Sequence, residues 1–367
     1  MKKGRVAFFR RYMDTVCPSG YEEEASRVWR GEAEGFADRT WADSHGNSIA
    51  VVNEGGSPRV MLAGHADEIG LMITCIDDRG FLSFTGIGGW DTQILPGQRV
   101  RIQGKKGPVL GVIGRKPIHL LKDEDRKKVV QMEELWIDIG AKDRDDAAAI
   151  VSIGDPAVLD YGFAELRNDL VAARGFDDRV GAFAVLEAAR LLAGMRPKAA
   201  IYAVATVQEE IGLRGAITSA FGIDPKVGIA VDVCHASDTP GMDAEKKRVG
   251  EIHMGKGPVL ARGPNINPPL FRLLEETAKK QKIAYQIEPA PRGTGTDANA
   301  MQLSRSGVAT GLVCVPNRYM HSPCEVVHLG DLENIAKLIA YTVAKIDDET
   351  DFIPAWRTKT SSNPQSN

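Results

Sequence analysis

Ala199–Gly212 reads AAIYAVATVQEEIG. Its first nine residues, Ala199–Val207, form an apolar run without the alternation of a half-exposed strand. Such a strand belongs inside a sheet that is covered on both faces. The run leads into two adjacent glutamates, Glu209 and Glu210, and then Ile211–Gly212. A pair of acids is usually solvated. Acids set between an apolar strand and an Ile-Gly turn are costly unless a cation is near.

The same texture extends outward from this stretch. Val227–Val231 and Gly311–Val315 read as further apolar strands, and Ser48–Val52 and Arg59–Ala63 as shorter ones. Helical periodicity marks Arg179–Leu192, Gly212–Ala220, Leu270–Gln281, Thr296–Ser306 and Asp331–Ile346. Nearer the N-terminus, Val6–Val16 reads as a helix that stops at the turn Cys17–Gly20. Ser19 is placed to cap the next helix, whose first turn holds Glu22, Glu23 and Glu24.

From Glu68 to Phe163 the pattern changes to short apolar runs broken by glycine turns: GLMITCI, GFLSFTGIGG, LPGQRVRIQG and VLGVIG. That is a β-rich module, with one short helix near Arg144–Ala149. The expected architecture is an α/β domain whose mixed sheet is covered by helices on both faces. It is built from residues 1–67 and 164–350, with a β-rich domain, residues 68–163, inserted into it. Residues 351–367 form a tail whose polar end, TKTSSNPQSN, is expected to be disordered.

Composition narrows the function. Across 367 residues, 43% are hydrophobic and 26% charged, as in an ordinary soluble protein. The net charge is −3 and Lys and Arg form no block, which argues against nucleic acid and membrane surfaces as partners. The longest apolar run is far short of the roughly 18 residues of a membrane span. The start, MKKGRVAFFRRYM, holds a four-residue apolar stretch where a secretory signal needs about 7–15. The five cysteines are widely spaced and contain no CxxC pair. They read as reduced, mostly buried thiols, and the expected compartment is the cytoplasm.

Five segments place a His or a carboxylate at a strand end or a strand–helix turn. They are GHADEIG with His65 and Asp67, FDDRVG with Asp177 and Asp178, VQEEIG with Glu209 and Glu210, AVDVCH with Asp232, and RYMHSP with His321. Ligands gather at the carboxyl ends of strands in α/β sheets. Four of the segments follow runs that should be adjacent strands, so they can converge. Imidazole and carboxylate together suit zinc, cobalt or manganese. A two-metal site needs a bridging carboxylate, terminal ligands and a base that is not a ligand, and the inventory supplies them. Asp67, two residues past His65, can fix that histidine's tautomer.

These segments, together with GTDANAMQ at Gly295–Gln302, resemble the tetrahedral aminopeptidases, metallopeptidase family forty-two, over roughly residues 5–347. The resemblance implies a zinc-exopeptidase-like core holding two divalent ions per subunit, zinc or cobalt, with manganese also suited. It implies that Asp177 bridges them, that His65 and Asp232 complete one, and that Glu210 and His321 complete the other. Glu209 would be the general base, and Asp67 would orient His65. It further implies a dimerising role for the β-rich insertion, dodecamers built from dimers, and short peptides with free N-termini as substrates.

Other residues stay open. Asp178 is a partner of the ligands or a helix cap. His235 faces the cleft or serves the strand end. His119, in the insertion, could reach a neighbouring site. His45 is expected in a turn, and His253 and His328 to be structural. The GTGTD loop, Gly293–Asp297, lacks the phosphate-binding pattern. Rival functions are a related two-metal dipeptidase or N-deacylase, a glycosidase, which leaves His65 and His321 without purpose, and a non-catalytic metal-binding scaffold, which has no need of Glu209.

Overall fold

In the computed structural model, residues 1–354 are described, and the TKTSSNPQSN tail lies outside them. The chain begins with helices α1 (Lys3–Met13) and α2 (Glu23–Ala33), then strands β1 (Arg39–Ala42), β2 (Ser48–Val52) and β3 (Arg59–His65). Six strands follow: β4 (Gly70–Ile76), β5 (Leu82–Ile87), β6 (Arg99–Gly104), β7 (Gly107–Arg115), β8 (Leu135–Asp138) and, after the short helix α3 (Arg144–Ala148), β9 (Pro156–Leu159). The short strands β10 (Ala164–Glu165) and β11 (Leu170–Ala173) lead to helix α4 (Phe176–Met195). Then come β12 (Ala200–Thr206), α5 (Arg214–Ile223), β13 (Val227–His235), α6 (Lys246–Val249), β14 (Val259–Arg262) and α7 (Pro268–Gln281). The chain continues through β15 (Gln286–Pro289), α8 (Asp297–Met301), β16 (Ala309–Asn317), β17 (Glu325–His328) and α9 (Leu329–Val343).

The main sheet has the order β1-β2-β12-β3-β13-β16-β14-β15. The central neighbours β12, β3, β13 and β16 run parallel, β1 and β2 pair antiparallel with their neighbours, and β14 pairs antiparallel with β16 and parallel with β15. Every residue from Val60 to His65 in β3 is buried. Successive side chains on a strand point to opposite faces, so both faces must be covered. Helices α4 and α9 pack together on the central strands, as do α5 and α8. Trp29 fastens α2 to α4 by donating its indole N–H to the Ala182 carbonyl at 2.8 Å.

Strands β4 to β9 close into a barrel of order β4-β5-β8-β7-β6-β9. The barrel has its own apolar centre, built from residues such as Leu71, Ile73, Leu82, Ile102, Ile113 and Ile137. Alternation explains this: along β5, Leu82 and Phe84 are buried while Ser83 and Thr85 face out.

Some boundaries differ from the sequence expectation. The helix expected over Thr296–Ser306 is regular only over Asp297–Met301, because the chain turns through Arg305 at φ 51° and returns Val308 N to the Gln302 carbonyl. Ser19 does not cap α2, which has no side-chain cap; its hydroxyl is drawn instead to Asp67 at 2.6 Å. Two strands absent from the expectation, β14 and β15, extend the sheet at one edge. Each has only four residues, too few for periodicity to stand out.

Where α4 meets the end of β3, there is no room for a side chain. A Cβ on Gly64 would stand 2.4 Å from both Ala182 N and Gly181 C, main-chain atoms of α4. Gly64→Ala should therefore lower stability by about 1–3 kcal/mol or more, the usual cost of overpacking. Gly31→Ala, whose Cβ meets nothing within 4 Å in α2, should instead stabilise slightly, by roughly 0.5–1 kcal/mol. Denaturant melts of the two variants check this, and a Gly64→Ala protein as stable as the parent would contradict the packing described.

Candidate active site

Four neighbouring strands bring the candidate residues to one end of the sheet. His65 closes β3, Asp232 lies near the end of β13, Glu209 and Glu210 follow β12, and His321 follows β16. Asp177 enters from the first turn of α4. There Asp177 and Asp178 depart from helical φ/ψ, and the peptide between them is cis. All of these except Asp178 line one cleft of about 640 Å³.

Asp177 sits between the two histidines. Its Oδ1 is 3.1 Å from His65 Nε2, and its Oδ2 is 3.2 Å from His321 Nε2. Each imidazole is turned by a main-chain carbonyl at its other nitrogen. His65 Nδ1 is 3.0 Å from the Asp67 carbonyl, and His321 Nδ1 is 3.0 Å from the Gly89 carbonyl. A carbonyl can only accept, so Nδ1 donates on both rings and Nε2 is aimed into the cleft. Glu210 Oε1 lies 3.4 Å from His321 Nε2, and Glu209 Oε2 lies 3.7 Å from His65 Nε2.

Three carboxylates hold the main chain around these groups. Asp67 accepts from Glu209 N at 3.0 Å and Glu210 N at 3.1 Å, as well as from Ser19. That turn, entered through Gln208 at φ 57°, aims both glutamates inward although they are adjacent in sequence. Asp67 thus steers His65 mainly through its carbonyl, with its own Oδ1 at 3.5 Å. Asp178 accepts from His65 N at 3.1 Å and from Gly181 N at 3.0 Å, so it is both a tether of the His65 segment and a helix cap. Glu325 accepts from Asp177 N at 3.0 Å and His321 N at 2.9 Å, one on each oxygen.

The electrostatics favour a bound cation. Burial and the charge of Asp232 push Asp178 well above the carboxylate range, and burial and Asp177 do the same to Asp232 against the pull of His65. Burial, opposed by His65 and reinforced by Asp232 and Asp297, pushes Glu209 to about 10. Asp177 goes the other way: burial raises it, but the bonds from His321 and His65 outweigh that and hold it low. His321 is pushed up to about 11 by Asp177 and Glu210. Burial opposes a proton on His65, yet Glu209 and Asp177 carry it well above its ordinary value.

The donor set fits divalent metal. Two groups, His65–Asp177–Glu210 and His65–Asp178–Asp232, each place their ligand atoms within 4.8 Å of one another. Glu210 Oε1 is buried with no hydrogen-bond partner among the described residues. A cation at the two Nε2 atoms would take the place of the protons that the acids hold there.

The other histidines lie elsewhere. His235 is exposed at the cleft wall, and His119 is exposed on the barrel segment and does not line this cleft. His45 lies in the Asp43–Asn47 turn, His253 is beside Glu251, and His328 caps α9 through Gly330 N. The GTGT residues Gly293–Thr296 do line the cleft. Glu325 and Gly89 escape a sequence reading. An acid after His-Ser-Pro-Cys looks solvated, and Gly89 acts through its main chain.

Glu325→Gln can present one oxygen where two N–H groups need acceptors. One buried donor is then left facing an NH₂, at a cost of about 1–3 kcal/mol. Glu325→Ala leaves both donors bare. The expected order of denaturant midpoints is parent, Gln, Ala, with metal content falling in the same order. A Glu325→Ala protein that matches the parent in both would show that this carboxylate holds nothing of consequence.

The family model described as M42 glutamyl aminopeptidase matches residues 46–338. Among curated relatives, the lysyl aminopeptidase of Pyrococcus furiosus is 42% identical over 320 residues, 87% of this chain and 90% of that one. Among solved structures, the TET aminopeptidase of a marine sediment Thaumarchaeota archaeon has a TM-score of 0.90 at 35% identity, covering 95% of this chain and 98% of its own. The TET1 peptidase of Pyrococcus horikoshii, described as able to form a tetrahedron or a large octahedral shell, has a TM-score of 0.83 at 34% identity over 93% of this chain and 100% of its own. The chain belongs to the M42 glutamyl aminopeptidase family.

Proposed function

We propose that this chain removes N-terminal residues from short peptides, with two divalent ions in the cleft and Glu209 as general base. The observation that carries the proposal is Asp177, whose two oxygens each face the Nε2 of a different histidine. Only a carboxylate can serve two ions in that way. His65 and Asp232 would hold one ion, Glu210 and His321 the other, and Asp177 would serve both. When bound, the ions supply Lewis acidity for the scissile carbonyl and counter-charge for the oxyanion.

The protein's own part is proton handling and positioning. Glu209 takes the proton of the attacking water and returns it to the leaving amine. Its main-chain N–H is pinned by Asp67, so the carboxylate stays at the His65 side of the cleft. Zinc and cobalt suit the imidazole–carboxylate set best, and manganese is also compatible.

In the same reading, residues 1–67 and 164–350 form the catalytic domain and residues 68–163 the dimerisation domain. The barrel segment carries exposed apolar side chains, among them Leu110, Val112, Ile118, Leu120 and Val129. Covering them between copies gives a dimer, and dimers then build a dodecamer. No helix among the described residues is long and apolar enough to cross a membrane. The cysteines are free, with Cys75 and Cys324 exposed, which suits a reducing cytoplasm.

Glu209→Gln keeps the shape and removes the base. It should retain metal while turnover falls by ~10²–10⁴. Glu210→Gln should instead lose part of the metal and be partly rescued by added ion. Metal analysis and turnover on both variants decide this, and reversed behaviour would exchange the two roles. N-acetylated peptides should resist cleavage; their hydrolysis would favour the N-deacylase. Light scattering on the whole protein should give the mass of a dodecamer, and a fully active monomer would overturn the assembly.

A further inference from the structure

Strand β12 ends at Thr206, the register partner of His65 on β3. The next four main-chain N–H groups find their acceptors on side chains. Val207 N donates to Asn47 Oδ1 at 3.1 Å, Gln208 N to Glu22 Oε1 at 3.0 Å, and Glu209 N and Glu210 N to Asp67. Asn47, Glu22 and Asp67 are all buried. Glu22 stands at the N-cap position of α2, yet its side chain does not cap that helix. Its Oε1 instead takes the Gly20 N–H at 2.7 Å together with that of Gln208.

Gln208 is where the chain changes direction. Its φ of 57° lies in the left-handed region, which an L side chain keeps only where its surroundings hold it. Regular strand precedes it, and the two glutamates follow. A rotation about its N–Cα bond re-aims everything beyond it. A hydrogen bond on the Gln208 N–H fixes the plane of that peptide, and Glu22 is its acceptor. The two glutamates do not depend on this hold equally. Glu210, as a ligand, would be gripped by an ion as well as by Asp67. Glu209, as the base, has no ion to hold it and takes its aim from the main chain. We infer that Glu22 is a positioning residue for the reaction, aiming the Glu209 carboxylate through Gln208. Glu22 is not among the described residues that line the cleft, so it acts without touching substrate or metal. This assignment rests on the reading of Glu209 as general base given above.

A purely structural role makes different demands. A carboxylate that only ties the start of α2 to the end of β12 would, when removed, lower stability and loosen metal and base alike. The chemistry of the two bonds separates these cases. Both fall on one oxygen, Oε1, so a glutamine carbonyl can accept the same two N–H groups. Alanine leaves both donors bare, and aspartate, one methylene shorter, withdraws the acceptor from Gln208. If Glu22 acts through Glu209, its loss costs nothing further once the base is gone. Residues that act as a unit show this non-additivity.

The test is a double-mutant cycle over Glu22→Ala and Glu209→Gln in the metal-loaded full chain. The substrate is whichever of a panel of amino-acid p-nitroanilides the parent cleaves fastest, and metal content is measured beside kcat and KM. Glu22→Ala should lower kcat and kcat/KM together by about 10- to 100-fold, the effect of misplacing a reacting group by about an ångström. KM and metal content should stay close to those of the parent. Glu22→Gln should recover most of the loss. In the Glu209→Gln background, Glu22→Ala should lower kcat no further. Should Glu22→Ala not fold, Glu22→Asp takes its place in the cycle with the same expectations. A parent that cleaves none of the panel, or full turnover in Glu209→Gln, overturns the reading given above and this assignment with it. With Glu209→Gln slow, this assignment alone is overturned by a parent-like kcat in Glu22→Ala, by an equal fall in both backgrounds, by a metal loss that accounts for the lowered turnover, or by a Glu22→Gln as slow as Glu22→Ala.

Discussion

The constraint on which the structure turns is the concentration of buried negative charge at the carboxyl ends of β12, β3, β13 and β16. Asp67, Asp177, Asp178, Glu209, Asp232 and Glu325 are all buried there. They divide by the partners they have. Asp67, Asp178 and Glu325 each accept two main-chain N–H groups, and between them these bonds reach Glu209, Glu210, His65, Gly181, Asp177 and His321. Asp177, Glu209, Glu210 and Asp232 are left facing the cleft. One set of acids fixes the backbone, and the other set is left to the cleft.

That arrangement needs support from behind, and Glu68 supplies it with two arginines. Arg174 bonds Glu68 Oε2 at 2.6 Å, and Arg179 Nη2 approaches the same oxygen at 3.3 Å. Arg179 also donates to the Met13 and Thr15 carbonyls, at 3.0 and 2.9 Å, at the C-terminal end of α1 and just past it. Two cations against one anion leave net positive charge beneath the acidic cleft. They also tie the first helix to the turn that carries Asp177. Burying such a cluster is costly unless its charges are met: the Met13 and Thr15 carbonyls take the Nη1 donors of Arg179, and Glu68 with the Gly175 and Arg174 carbonyls takes the rest. The N-terminal helices thereby act on the site without touching it.

How much of this is legible in the sequence follows from physical range. Four strands buried on both faces announce themselves as apolar runs, and the acids and histidines at their ends stand out by contrast. Two-residue spacing places Asp67 near His65. What stays hidden acts through the main chain or through very short elements. The Gly89 carbonyl has no side-chain signature. Glu325 is read as solvated because nothing in HSPCE reveals that two N–H groups converge on it. Ser19 has the spacing of a helix cap, but a buried carboxylate is the stronger acceptor and takes its hydroxyl. Strand β15 is four residues at a sheet edge, too short for a period to show.

The Gly89 contact also changes how the inserted barrel should be understood. His321 is held from two sides: Glu325 of the α/β domain fixes its main chain, and the Gly89 carbonyl fixes its ring. Gly89 follows Gly88, which has φ 75° and lies so close to Ile69 that a Cβ would stand 2.7 Å from its Cγ2. The turn is therefore specified by glycine and pressed against the segment that joins β3 to the barrel. A barrel attached only for assembly would need no such contact. Because one candidate ligand takes its orientation from the barrel segment, any shift of the barrel relative to the sheet moves the His321 ring as well. The ring's position therefore depends on how the barrel segment lies against the sheet.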